Sequence, residues 1–184
     1  MGQIPGRVAL VTDVAEADAF ESRDPAALSY VTQTTLSVDD TAEIIATLRR
    51  RFPDIVGPDL KDICYATQNR QLVLAEVAAQ VDVVLVVGAP NSSNSNRLKE
   101  IGDTMGVPSY LIEDAAALDP AWLETAQSVG VTAGASAPEE LVSALLDRLG
   151  ELFDVRIEHQ EGPAENIKFR LPRELAEGAQ AGAA

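Results

Sequence analysis

No segment of this sequence leaves fewer structural options than Val81–Val87. It reads Val-Asp-Val-Val-Leu-Val-Val and runs directly into Gly88. Side chains of a strand alternate between its two faces, so consecutive apolar positions put apolar groups on both. Such a strand is stable only when both faces are covered, which is the situation of a central strand in a parallel sheet. The run is far shorter than the roughly 20 apolar residues a membrane-spanning helix needs. The expectation is an α/β fold with helices above and below a sheet.

The flanking pattern agrees. Thr67–Gln80 reads as a helix before this strand, and Asn94–Met105 as a helix after it. Then come a strand at Ser109–Ile112, a short helix at Pro120–Ala126, a strand at Val129–Thr132 and a long amphipathic helix at Pro138–Leu152. Upstream, Val8–Val11 and Leu28–Gln33 read as strands and Asp13–Phe20 as a short helix. Val38–Phe52 is a strong helix, with Ser37 as its cap, Asp39 and Asp40 in the first turn, and Arg49, Arg50 and Arg51 in the last. That charge order complements the helix dipole, and Pro53 stops the helix. Ile55–Pro58 is a short strand or connection.

Strands alternating with helices at this spacing predict two small open, mostly parallel sheets flanked by helices. One lobe covers residues 1–57 and the other 58–149, and they meet near residues 57–62. Over 150–172 the stretches Asp154–Glu158 and Ile167–Leu171 alternate apolar and polar residues, as half-buried strands do. Residues 173–184 are rich in Ala and Gly and read as a disordered tail.

Charge narrows the function. The formal net charge is -15, and a nucleic-acid binder normally carries a basic face. The same acidity sets a condition on any phosphate ligand. Hydroxyls, amides and helix dipoles would hold it, with Lys and Arg in a minor role. The N-terminus lacks the basic start and apolar core of a signal peptide, so the expected location is cytoplasmic, with no membrane partner. Cys64 is the only cysteine and His159 the only histidine. An intrachain disulfide, a Cys-rich zinc site and a full thiolate set for an iron–sulfur cluster are therefore beyond the chain alone.

In open α/β sheets, ligands bind beyond the carboxyl ends of the strands. Three loops in such places are rich in hydroxyls and amides: Thr32–Ser37, Asn91–Arg97 and Thr132–Pro138. Each admits a simpler reading, because Ser and Asn are the usual N-cap residues. Ser136, ahead of Pro138 and Glu139, suits a cap for the last helix. The six consecutive polar residues Asn91–Asn96 exceed what one cap needs. Nucleotide binding lacks its motifs, since no G-x-G-x-x-G and no G-K-S/T is present. Cys64 falls at a helix start, where a thiolate is favoured, though a lone Cys is also a common buried residue.

At these positions the sequence resembles the 4-hydroxy-3-methylbut-2-enyl diphosphate (HMBPP) reductase family. The matching stretches are Val31–Ser37, Ile63–Thr67, Asn69–Gln71, Asn91–Leu98 and Val131–Pro138. The resemblance extends to about Pro172 and corresponds to the second and third lobes of a three-lobed α/β fold. It implies an oxidoreductase of non-mevalonate isoprenoid biosynthesis, built around a central 4Fe–4S cluster held by one cysteine per lobe. Two electrons and protons remove the substrate's hydroxyl, giving isopentenyl and dimethylallyl diphosphate. The resemblance makes Cys64 the third-lobe cluster ligand. It makes Ser92, Ser93, Asn94 and Ser136 diphosphate ligands, and puts Thr34 near the reacting end, with Gln33 beside it.

The same resemblance sets out what is missing. The family's other two cluster cysteines, its substrate-binding histidines and its proton-donating glutamate have no counterpart, and His159 matches none of them. The expectation is a truncated reductase, inactive alone, with no catalytic residue of its own. Its partners would be HMBPP or another small diphosphate, a ferredoxin or flavodoxin as electron donor, and a separate first-lobe polypeptide. The alternative is a non-catalytic diphosphate-binding remnant. Residues 150–172 would pack on the first lobe.

Overall fold

The structure, a computed structural model, describes residues 8–58 and 64–163. The elements run α1 (Val14–Ala19), α2 (Val38–Arg51), α3 (Tyr65–Ala78), β1 (Val83–Val87), α4 (Ser93–Thr104), β2 (Ser109–Ile112), β3 (Val129–Ala133) and α5 (Glu139–Leu152). Short 3-10 turns occupy Pro25–Ala27, Ala115–Ala117 and Pro120–Leu123. The last of these stands where a short helix was expected.

The sheet has the order β2-β1-β3, with both pairings parallel. Val84 sits opposite Ser109 on one side and Gly130 on the other. Every residue of β1 is buried. Val83, Leu85 and Val87 face Leu145 and Leu149 of α5, together with Ile112, Leu118 and Leu123. Val84 and Val86 face Leu74 and Ala78 of α3 and Leu98 of α4. Each large side chain so buried contributes on the order of 1.5–3 kcal/mol relative to exposure. The unbroken apolar run is thus explained by two covered faces.

Asp82, the polar interruption in that run, has its own task. Its carboxylate accepts hydrogen bonds from the backbone N–H groups of Gln127 and Ser128, both at 2.9 Å, and from Ser128 Oγ at 3.0 Å. It fixes the start of β1 to the start of β3. On the far side, α4 closes in a Schellman turn. Val107 N–H donates to the Gly102 carbonyl and Gly106 N–H to that of Asp103, with Gly106 at φ +80°. Glycine takes this left-handed conformation without strain, and the turn redirects the chain into β2.

The N-terminal unit is thinner than expected. Helices α1 and α2 pack through Ala17, Leu48 and Phe52, with Val11, Phe20, Leu28, Ile44 and Ile55 around them. Phe20 and Phe52 meet edge to face at 5.8 Å. Arg51 donates to the carbonyls of Ala17 and Phe20, satisfying the end of α1. Among the described residues, however, the predicted second sheet is reduced to one parallel bridge between Ser29 and Val56. Val8–Val11 forms no strand, and Leu28–Gln33 contributes only Ser29. Strands need paired neighbours and cover. Ile55–Gly57 has only three residues between Pro53-Asp54 and Pro58, and the helices cover one face alone. On the other face Val31 and Val56 stand 83% and 69% exposed.

The chain beyond α5 departs from expectation too. Residues 154–163 take no regular structure, so the half-buried strand predicted at Asp154–Glu158 is not formed. Val155 and Ile157 are exposed. Alternation makes a strand only where something pairs with it and covers its apolar side, and among the described residues neither happens. Ile167–Leu171 and the tail at 173–184 lie outside the described residues. Among the described residues, no helix is long and apolar enough to cross a membrane.

Candidate functional site

Four segments converge on one open cleft of about 580 Å³. Gln33, Thr34 and Thr35 come from the loop after the Ser29 bridge, Cys64 and Thr67 from the start of α3, Ser92, Ser93 and Asn94 from the start of α4, and Ala135 and Ser136 from the loop after β3. The sheet topology brings the last two segments together. β1 and β3 are parallel neighbours, so the loops leaving their carboxyl ends emerge side by side. All six site residues singled out from sequence, Thr34, Cys64, Ser92, Ser93, Asn94 and Ser136, line this cleft.

Two contacts tie the N-terminal wall to the rest. The backbone N–H of Cys64 donates to the Thr34 carbonyl at 3.0 Å. Gln71 Nε2 donates to the Thr35 carbonyl at 3.4 Å. Thr34 is thereby held next to the helix start that carries the thiol.

Ser92 caps α4, its hydroxyl accepting from Ser95 N–H at 3.3 Å and from Ser95 Oγ at 3.0 Å. An oxygen that accepts twice still has its own proton to donate. Asn96 braces the turn, its amide donating to the carbonyls of Pro90 at 2.7 Å and Ser92 at 3.0 Å. Asn96 thus belongs to the scaffold of this loop.

Asn94 is the anomaly of the site. Its side chain is buried, with the residue only 7% exposed, yet neither its amide nitrogen nor its amide oxygen has a hydrogen-bond partner among the described residues. A buried amide left unmade costs about 1–3 kcal/mol. On the wall of the cleft, this group leaves hydrogen-bonding capacity unused.

Ser136 does not cap α5. The N-cap of α5 is Pro138, and no side chain caps that helix. Ser136 is exposed and lines the cleft instead.

Electrostatically, no Lys, Arg or His is among the described residues that line the cleft. The first turns of α3 and α4 open on it, and helix N-termini offer unpaired N–H groups and the positive end of the dipole. Among the described residues, hydroxyls, the amides of Gln33 and Asn94 and two helix starts make up a polar lining without a positive side chain.

Sequence reasoning passed over Ser95 and Thr67. Both are buried, at 1% and 2% exposure, and both lie three residues after a helix N-cap, Ser92 and Cys64 respectively. That spacing puts them on the inner side of the first turn and was the available signal. Gly88 and Gly134 were missed as well. A Cβ at either would fall within 2.1 Å and 2.4 Å of Ser95 Oγ, so only glycine lets α4 approach the sheet this closely.

For an iron–sulfur cluster the donor set does not fit. Cys64 is the chain's only thiol. Among the described residues no group of three or more His, Cys, Asp or Glu side chains could hold a metal. A cluster needs several thiolates, and this chain offers one from a half-buried position on the cleft.

Comparisons with known proteins converge. The family described as LytB protein matches residues 1–150. The chain is 55% identical over 176 residues to 4-hydroxy-3-methylbut-2-enyl diphosphate reductase 2 of Bradyrhizobium diazoefficiens, covering 96% of this chain and 57% of that protein. It is 56% identical over 177 residues to the reductase of Phenylobacterium zucineum, covering 96% and 56%. The solved E-1-hydroxy-2-methyl-but-2-enyl-4-diphosphate reductase of Plasmodium falciparum superposes with a TM-score of 0.78 at 32% identity, over 95% of this chain and 55% of that one. The chain thus spans a little over half the length of the relatives it matches.

Proposed function

The chain belongs to the LytB protein family, and from that premise we propose that it forms the diphosphate-holding part of an HMBPP reductase site. In this reading Ser92, Ser93, Asn94 and Ser136 bind the diphosphate of 4-hydroxy-3-methylbut-2-enyl diphosphate. Thr34 stands by its hydroxyl-bearing end. The observation that carries it is Asn94, buried on the cleft wall with both amide atoms unpartnered. An anion with several acceptor oxygens takes its N–H bonds, together with the Ser92 proton and the first-turn N–H groups of α4.

Residues 1–57 and 58–149 correspond to two lobes of the family architecture that meet at the cleft, the first with its sheet reduced to the Ser29–Val56 bridge among the described residues. Cys64 contributes one cluster ligand. One thiol does not make a cluster site, so the remaining ligands and the proton donor come from further polypeptide, and an electron donor of ferredoxin or flavodoxin type completes the system. The single thiol also favours a second reading, a diphosphate binder with no redox chemistry of its own.

Calorimetric titration with inorganic pyrophosphate tests the shared core of both readings. The chain should bind it weakly, because the ligand stays largely in water. Ser92→Ala and Ser136→Ala should each weaken binding further. Binding unchanged in both variants defeats the assignment. Co-expression with a polypeptide carrying the family's remaining cysteines separates the readings: iron, acid-labile sulfide and brown colour retained with this chain support the reductase.

A further inference from the structure

Ser95 has no place among the ligands, yet it is the most enclosed polar side chain near the cleft, at 1% exposure. Its hydroxyl lies in the space between two glycines. An ideal Cβ on Gly88 would sit 2.1 Å from Ser95 Oγ, and one on Gly134 would sit 2.4 Å away. Both glycines are fixed by extensions of the parallel ladder. Gly88 N–H donates to the Ile112 carbonyl and Gly134 N–H to the Val87 carbonyl, each at 2.9 Å. The slot is therefore rigid, and among the described residues the hydrogen-bond partner of this hydroxyl is Ser92 Oγ at 3.0 Å.

We propose that Ser95 is a positioning residue that fixes the Ser92 hydroxyl as a donor toward the cleft. Ser92 Oγ already accepts the Ser95 backbone N–H in capping α4. When Ser95 Oγ donates to it as well, its second acceptor site is taken. Its proton is then directed away from the protein, toward the anion. Without Ser95 Oγ, the Ser92 hydroxyl is free to rotate and to spend its time in orientations that present a lone pair to the anion, which repels it. Gly88 and Gly134 serve the same end by leaving, in place of a Cβ, the room that this rotamer of Ser95 fills. The sheet, through two glycines and one buried serine, thereby sets the polarity of a ligand hydroxyl.

The inference rests on reading the cleft as a diphosphate site, and its test separates the two. Pyrophosphate affinity of the full chain is measured for wild type, Ser95→Ala, Ser92→Ala and the double variant, with thermal unfolding followed for each. Ser95→Ala should weaken binding about threefold to tenfold, the size of one oriented hydrogen bond. In the Ser92→Ala background the same change should cost nothing further, because there is no hydroxyl left to orient. A loss that persists in full in that background shows that Ser95 acts through the fold and overturns the proposal, as does wild-type affinity in Ser95→Ala. Ser95→Gly carries the same expectation and adds no bulk between the glycines, so the outcome does not hang on one variant. Wild type failing to bind pyrophosphate sinks the diphosphate reading and this inference together. Binding that needs Ser92 and ignores Ser95 sinks the inference alone.

Discussion

The backbone N–H of Cys64 donates to the carbonyl of Thr34 at 3.0 Å, joining the first residue ahead of α3 to a loop thirty residues earlier. With Gln71 holding the Thr35 carbonyl, it makes the N-terminal wall of the cleft part of the same body as the sheet. The cleft is built across this junction.

The Gln71 contact is long at 3.4 Å, so its removal should be mild. Gln71→Leu should cost about 0.5 kcal/mol of stability, the low end for a hydrogen bond. Amide exchange should quicken over residues 33–37 and stay slow at Val84–Val86. Uniform acceleration across both regions would show that the contact is not local to the cleft wall.

Asn94 predicts opposite effects on stability and binding. Replacing it by Leu removes a buried amide with no partner and keeps most of the volume. The ligand-free protein should gain about 1 kcal/mol in denaturant titration. Pyrophosphate binding should fall below detection. A variant that is less stable than wild type would mean that Asn94 is satisfied in the free protein.

Asp82 makes a pH-dependent contribution. Three donors, led by the Gln127 N–H, hold its carboxyl below its ordinary value of 3.8. A depressed carboxyl stabilises the fold above that ordinary value, and the contribution disappears as pH falls through the lowered one. Wild type should therefore lose stability in acid more steeply than Asp82→Asn, measured by denaturant midpoints at neutral pH and near pH 3. Parallel curves for the two proteins would show that the clip between β1 and β3 carries no pH dependence.

The thiol count predicts the iron content. Anaerobic reconstitution of the purified chain should yield well below the roughly four irons of a 4Fe–4S cluster. Cys64→Ser should remove whatever specific iron remains. A monomer carrying about four irons and matching sulfide would overturn the donor-set argument.

Much of this molecule could be read from the chain. Val81–Val87 declared a strand covered on both sides because its residues, Asp82 apart, are apolar at consecutive positions, a property no tertiary contact is needed to see. The helices at α2, α3, α4 and α5 followed from caps, charge order and periodicity, all local features. The convergence of Ser92 and Ser136 followed from parallel topology, which forces neighbouring loops to the same sheet edge. What the sequence left open depends on partners distant in the chain. Val8–Val11 and Asp154–Glu158 have strand-like patterns, and a pattern becomes a strand only when another strand pairs with it. Ser136 suits a cap by type, and only the path of the chain into Pro138 frees its hydroxyl for the cleft. Ser95 looks like any polar residue of its loop. The approach of two glycines from β1 and β3 buries it, and the rigidity of the parallel ladder turns that burial into an orientation.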